Sequence, residues 1–354
     1  MVPADVVHRI VFSDPKLFAA WPANGGGWSF DGGKELLVGF ISGSYRPQPN
    51  HDIDPPFLNR LARSVDGGDT WTVEECPTFL PPNAKRLQQP PKDPFTADTI
   101  VRIVGDGYQG SKEPKGAFIV SHDRGRSWSG LCPLAGFDAQ PELRGWECSA
   151  RTDVLREEDG GWLWMLSARR PGKAWSDRTF AARWRSGKGI EFVGWIVPPS
   201  DPFRGVMPST VRCSPMVLVS AVRRRDPAKE HNWLDLYRSE DGGTTWRRVS
   251  SIADTGDRNG NPPALLRLAD KRLCCVYGQR SRRQLLARVS HDDGRSWGPE
   301  WVLRNDHQSD AWGDADLGYP RLFQRPDGRL VAVYYWCTPE RPHGHIAATR
   351  FSIP

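Results

Sequence analysis

The eight-residue pattern Ser-x-Asp-x-Gly-x-(Ser/Thr)-Trp occurs four times along the chain and constrains its fold more than any other feature. The copies run from Ser64 to Trp71, Ser121 to Trp128, Ser239 to Trp246 and Ser290 to Trp297. Their first residues lie 57, 118 and 51 positions apart, so the middle interval spans about two periods and has lost one copy. Each copy has the chemistry of a turn. Its Asp can accept hydrogen bonds from nearby backbone N–H groups, and its Gly takes a φ > 0 position closed to most residues. The closing Trp can then pack back between neighbouring sheets. Self-similarity at roughly 50 residues means one supersecondary unit per repeat, which here reads as a propeller blade. The boxes are expected to be hairpin turns on the outer edge of each blade, identifying the scaffold without being the site.

Starting each unit at the strand expected to line a central channel yields an all-β, six-bladed β-propeller. The units begin near Phe18, Asp98, Ser149, Met207, Asn261 and Gly318, and the sixth closes with His345–Thr349 as its last strand. In the third unit, Trp184 to Gly189 stands in for the missing box. Six blades of about 55 residues account for the chain as one domain, 1–354, with no linker or composition shift.

A chain of 354 residues can bury a large core, and its 35 glycines, 31 prolines and short apolar runs suit many short strands joined by turns. No run approaches the 18 or so apolar residues of a membrane span. The first residues lack a basic segment followed by an apolar one, so a cytoplasmic location is the default, with secretion the alternative if a leader was removed. Seven scattered cysteines without a C-x-x-C pair point to reduced, mostly buried thiols, not to disulfides or a zinc site. The net charge of +6 comes almost wholly from arginine. These arginines form no dense run and accompany no nucleic-acid motif, so an anionic small ligand or polysaccharide suits them better than nucleic acid.

Propeller ligands commonly bind at one end of the channel. The frame sends Trp21, Glu147, Arg151, Asn261 and Tyr319 there from inner strands, and Arg169, Arg223 and Arg280 from equivalent loops. Guanidinium groups offer planar paired donors that suit a carboxylate, and several together favour an acidic sugar. Trp28 and Trp312 are the preferred aromatic contacts, since an indole can stack on a sugar ring.

With four boxes and six blades, the chain resembles the sialidase (neuraminidase) superfamily with Asp-box, or BNR, repeats. Phe18-Ala-Ala-Trp21-Pro-Ala-Asn24, Ala150-Arg151-Thr-Asp153, Met207-Pro-Ser-Thr-Val-Arg212, Gly260-Asn-Pro-Pro263 and Asp316-Leu-Gly-Tyr-Pro320 echo a subgroup of sialidase-like proteins. The resemblance implies exo-acting hydrolysis of a glycosidic bond to an acidic sugar, with no metal or other cofactor. It also implies a tyrosine nucleophile activated by a glutamate, an aspartate acid/base and three arginines around the substrate carboxylate. Tyr319 matches the nucleophile, followed by Arg321, a candidate substrate contact, and a Pro-Asp-Gly turn. Arg223 matches one arginine, and Arg282 or Arg283 another.

Two positions depart from the family. Met207-Pro-Ser stands where the resemblance calls for Glu-Pro-Ser, and Trp21-Pro where it calls for Arg-Ile-Pro. Glu147 is the best carboxylate to replace the glutamate, and His51-Asp52-Ile-Asp54 the best source of an acid/base group, tuned by burial and neighbouring arginines. Structural roles compete for both: a salt bridge from Glu147 to Arg151, and a solvated turn at His51 and Asp52. Three functions remain open at this stage. They are an exo-glycosidase, a polysaccharide lyase acting on a uronate, and a carbohydrate-binding propeller without catalysis.

Overall fold

Alternation along Trp162–Arg169 shows how a blade strand uses both of its faces. Trp162, Trp164, Leu166 and Ala168 enter one buried cluster with Phe118, Phe180 and Trp184. Leu163 and Met165 enter another with Val222 and Tyr237. Successive side chains leave a strand on opposite faces, so a strand apolar at every position is covered on both. In the first cluster Trp164 stacks on Trp184 at 5.7 Å, and Phe118 meets both edge-on at 5.0 and 5.4 Å. Each such pair adds about 0.5–1.5 kcal/mol beyond the area it buries.

The computed structural model describes residues 1–49, 51–89, 96–105, 116–149, 153–158, 160–185, 187–256, 259–308 and 315–353. They form six antiparallel sheets in two compact units, one of Met1–Cys76 with Ile252–Pro354 and one of Pro77–Ser251.

The first unit holds three sheets. One pairs Leu17–Ala20, Glu35–Tyr45, Ile53–Ser64 and Thr72–Glu74, with Gly27–Phe30 also on Glu35–Tyr45. A second pairs Ala264–Arg267, Leu273–Gln279, Gln284–Ser290 and Trp301–Arg304. The third runs Gly318–Gln324, Leu330–Thr338, Arg341–Ser352 and then Ala4–Phe12. This last pairing corrects the expectation that His345–Thr349 ends the sixth blade, because those residues lie in its third strand and the N-terminal segment supplies the fourth. Ala4–Phe12 is mostly exposed and joins through its backbone, so its side chains carry no burial pattern to read.

The Pro77–Ser251 unit holds the other three sheets. Among the described residues, one consists of Ile100–Val104, Ala117–Ser121 and Cys132–Pro133. A second pairs Glu147–Cys148, Trp162–Arg169, Arg178–Arg185 and Gly189–Trp195, with Val154–Arg156 also on Trp162–Arg169. The third pairs Arg204–Arg212, Leu218–Asp226, His231–Ser239 and Arg247–Gly256. Asp98, expected on an inner strand, stands in the turn before Ile100–Val104 and pairs with Arg124 at 2.6 Å.

The boxes are turns after the strands that end at Ser64, Ser121, Ser239 and Ser290. In the third copy Ser239 Oγ accepts the Gly243 N–H at 2.8 Å and donates to Asp241 Oδ1 at 2.8 Å. Asp241 also accepts from the Thr245 N–H and hydroxyl, at 2.9 and 2.5 Å. Gly243 takes φ 101°, and its carbonyl accepts from Trp246 Nε1 at 2.8 Å. The other copies repeat the Ser–Gly, Ser–Asp and Asp–hydroxyl bonds. Partial burial opposes the charge on Asp241, but this set of donors outweighs it and holds the carboxyl at about 2.

Replacing Ser239 with Ala leaves the buried Gly243 N–H without an acceptor, which should cost about 1–3 kcal/mol. Glu240→Ala, on the exposed neighbour, should cost under about 0.5 kcal/mol. Urea unfolding of the two variants measures the difference, and equal midpoints would refute the role assigned to the serine.

Candidate functional site

Trp21, Met207 and Tyr319 each stand directly before a proline with φ in the left-handed region, at 62°, 54° and 49°. Bulky residues avoid that region, and a following proline narrows the choices further. At two of the three positions a bulge absorbs the distortion: strand register shifts between Val206 and Ser209, and between Gly318 and Arg321. Bulges re-aim side chains that a regular strand would point elsewhere.

The Tyr319 turn is held by Asn261, which is fully buried. Its Oδ1 accepts the Tyr319 N–H at 2.8 Å, and its Nδ2 donates to the Leu317 carbonyl at 2.8 Å. Gly318 is required here, since its φ is 95° and a Cβ would lie 2.3 Å from Asn261 Oδ1. Behind Tyr319 stands the buried Tyr335, the two rings meeting edge to face at 6.0 Å.

A buried carboxylate organises the same surroundings. Asp316 Oδ2 lies 2.7 Å from His51 Nδ1. Its Oδ1 accepts from Arg280 Nη2 at 3.2 Å and from the Tyr335 hydroxyl. Arg280 Nη2 also donates to Tyr335 Oη at 3.2 Å, and His307 Nε2 meets the Asp316 backbone carbonyl at 3.3 Å. His51 packs edge-on against Trp21 at 5.0 Å. Its side chain stays 34% exposed, and among the described residues its Nε2 has no hydrogen-bond partner.

Charges set the protonation states. Burial disfavours the His51 cation, but Asp316 outweighs burial and the charge of an ionised Tyr319 adds to its effect against the opposition of Arg280, so the pKa rises above its usual 6.5. Burial likewise opposes the Asp316 charge, and His51, Arg280 and the Tyr335 hydroxyl reverse that, holding the carboxyl below 3.8. Burial lowers His307 to about 4, so this neighbour is neutral. The result is an imidazole fixed by a buried aspartate through one nitrogen, with the other available, which is the arrangement of a general acid/base.

Of the residues singled out in the sequence, the first unit brings together Tyr319, His51 and Arg280. Asp52 is buried in its own loop, with Oδ1 accepting the Gln48 N–H at 2.8 Å. Arg282 lies exposed and pairs with Glu300 at 2.7 Å. Arg283 is the exposed left-handed residue of the same turn. Arg321 donates from Nη2 to the Ala23 carbonyl at 2.7 Å, beside the short helix Pro22–Gly25. Trp28 is partly buried on Gly27–Phe30, paired with Leu37.

In the second unit, Glu147 accepts from Arg169 Nε at 3.3 Å. Arg223 is buried, its Nη1 3.9 Å from the Met207 Sδ. Arg169 lines an open cleft of about 370 Å³ with Ser149, Arg170, Lys173, Trp175, Asp177 and Arg204. Arg151 and Trp312 lie outside the described residues. No group of three or more His, Cys, Asp or Glu is placed to hold a metal among the described residues. Nor, among them, is any helix long and apolar enough to cross a membrane.

Sequence reasoning quoted Asp316 without giving it a role and did not single out Tyr335, because both act through contacts with distant segments. One signal was present. Asp316 lies three residues before Tyr319 in a quoted motif, and Asn261 sits in another.

The fold and these inner-strand turns define a sialidase-like β-propeller, and comparison with known proteins agrees. Residues 92–332 match the family described as a BNR repeat-like domain, and the chain belongs to that family. No curated protein matches the sequence. A Dyadobacter fermentans protein of unknown function superposes with a TM-score of 0.72 at 20% identity, covering 99% of this chain and 100% of that one. The Hadza microbial sialidase Hz136 gives 0.64 at 14%, covering 95% and 66%. A Penicillium chrysogenum α-L-arabinanase gives 0.61 at 14%, covering 98% and 97%. Similarity at these identities shows the six-bladed, all-β propeller fold.

Proposed function

We propose that the chain is a single propeller domain that hydrolyses a glycosidic bond at a glycan terminus bearing an acidic sugar. The observation that carries this reading is the Asp316–His51 pair beside Tyr319. Tyr319 is the nucleophile: its phenolic proton passes to solvent, favoured by the charge of the His51 cation that Asp316 stabilises. As the phenolate bonds to the anomeric carbon and the glycosidic C–O bond breaks, His51 gives its own proton to the departing oxygen. Neutral His51 then takes a proton from the water that releases the sugar. In this scheme His51 replaces the acid/base aspartate of sialidases. Met207 leaves no carboxylate at the position of their activating glutamate, so the positive charge of His51 and Arg280 takes over activation of the phenol. Arg280 supports an anionic sugar, and the sialidase and arabinanase folds support a carbohydrate ligand.

Met207 also favours a second reading, carbohydrate binding without turnover. Methylumbelliferyl derivatives of N-acetylneuraminic acid, glucuronic acid and α-L-arabinofuranose separate the two. Fluorescence release from an acidic member, exceeding that from the arabinofuranoside, is the expected result. Binding of acidic glycans with no release from any member would replace hydrolysis with binding alone. Ultraviolet absorbance from an unsaturated product on a uronate polymer would mark a lyase instead.

A further inference from the structure

The Pro77–Ser251 unit carries a second feature that the Tyr319 chemistry does not use. Its cleft of about 370 Å³ has four cations in its lining, Arg169, Arg170, Lys173 and Arg204, against the carboxylate of Asp177, and Glu147, which is not part of the lining, pairs with Arg169 at 3.3 Å. The Asp177 carboxylate is already engaged, accepting from Arg204 Nε at 2.6 Å. The cleft is large enough for a small-molecule ligand, whose sites begin at about 300 Å³.

Trp175 shows how the positive charge is held together. Its indole is 38% exposed on a left-handed backbone with φ 60°. The guanidinium carbons of Arg204 and Arg225 lie 4.8 and 4.2 Å from the ring centre. The attraction of a cation for the ring face fixes both groups beside one aromatic. Arg225 is 5% exposed; its Nη1 donates to Asn232 Oδ1 at 3.5 Å and its Nη2 lies 3.7 Å from the exposed Glu230, while its Nε has no hydrogen-bond partner among the described residues. Burial works against its proton most, Glu230 partly offsets this, and Arg204 and Arg223 add to the effect of burial, so its pKa is lowered on balance. Like charges gathered around one indole are better satisfied by an anion than by water, and guanidinium forks match the paired oxygens of a carboxylate or sulfate.

We infer that this cleft binds the oxyanion group, carboxylate or sulfate, of an acidic sugar unit in a glycan. The proposal rests on the carbohydrate reading above for the class of ligand only, and binding is measured apart from turnover. Calorimetry on the full chain with oligogalacturonate, a heparin oligosaccharide and a neutral arabino-oligosaccharide tests it. At least one anionic oligosaccharide should bind 10-fold or more tightly than the neutral one, with affinity falling as salt rises. The arm that binds more tightly identifies carboxylate or sulfate as the group recognised.

Lys173→Glu, at an exposed position, and Trp175→Ala should each weaken that binding at least 10-fold with an unchanged melting temperature. Tyr319→Phe should leave binding intact, so failed hydrolysis and a failed cleft give different results. Equal affinity for the neutral oligosaccharide, no binding of any, or full affinity in Lys173→Glu would overturn the proposal.

Discussion

Tyr319→Phe is expected to lower kcat on the best substrate by at least about 10³-fold, the scale on which removing a nucleophile acts. KM should change little, because the ring and its packing against Tyr335 remain. The turn is held through the Tyr319 backbone N–H by Asn261, a bond the substitution keeps. The pH profile adds an independent readout. If cationic His51 donates the proton, kcat falls as pH rises through the raised pKa of that histidine, above 6.5. A Phe variant that turns over at the parent rate would exclude Tyr319 as nucleophile. A profile flat from pH 6 to 9 would exclude His51 as the acid.

The second large effect is predicted for Asp316. Its removal leaves His51 and Arg280 facing each other and the buried Tyr335 hydroxyl without its acceptor. Taking one partner from a buried charged network costs about 3–5 kcal/mol. Asp316→Ala should therefore lower Tm by several degrees, whereas Asp316→Asn keeps the shape and removes the charge. In the Asn variant the His51 pKa should fall below 6.5, because burial persists and the attraction that raised it is gone.

The pair also sets a pH window. The raised His51 pKa contributes stability below about 6.5 that is lost as pH rises through its folded value. The lowered Asp316 pKa contributes stability above about 3.8 that is lost as pH falls through its folded value. The stability difference between parent and Asp316→Asn should thus be largest between pH 3.8 and 6.5. An NMR titration that finds the same His51 pKa in both proteins would refute the pairing.

The motifs that carried the family resemblance prove to be stitches between consecutive inner strands. Asp153 Oδ2 accepts the Thr210 N–H at 2.8 Å, joining two of them in the second unit. Asn261 joins its strand to Leu317 and Tyr319, and Arg321 joins Tyr319's strand to Pro22 and Ala23. Sequence reasoning assigned Arg321 to substrate, since a motif shows which residues recur together and not which way they point. The same limit applies to the three clustered arginines on one hairpin. Arg280 is buried against Asp316, while Arg282 and Arg283, its near neighbours in the same turn, are exposed.

The repeat of Ser-x-Asp-x-Gly-x-(Ser/Thr)-Trp determined the all-β, six-bladed class and the place of four of its hairpins. Those features rest on local hydrogen bonds and a φ > 0 glycine, both written within eight consecutive residues. What only the tertiary structure decided is which charges meet. The Asp316–His51 contact joins residues 265 positions apart, and the Trp175 cleft gathers side chains from Ser149 to Arg204. The N-terminal strand closes its sheet by pairing its backbone with a segment more than 330 positions away in the chain, with His8 reaching the Thr349 hydroxyl at 2.9 Å. Electrostatic contacts of this kind depend on distance in space, and spacing along a chain does not encode that until the fold has brought the segments together.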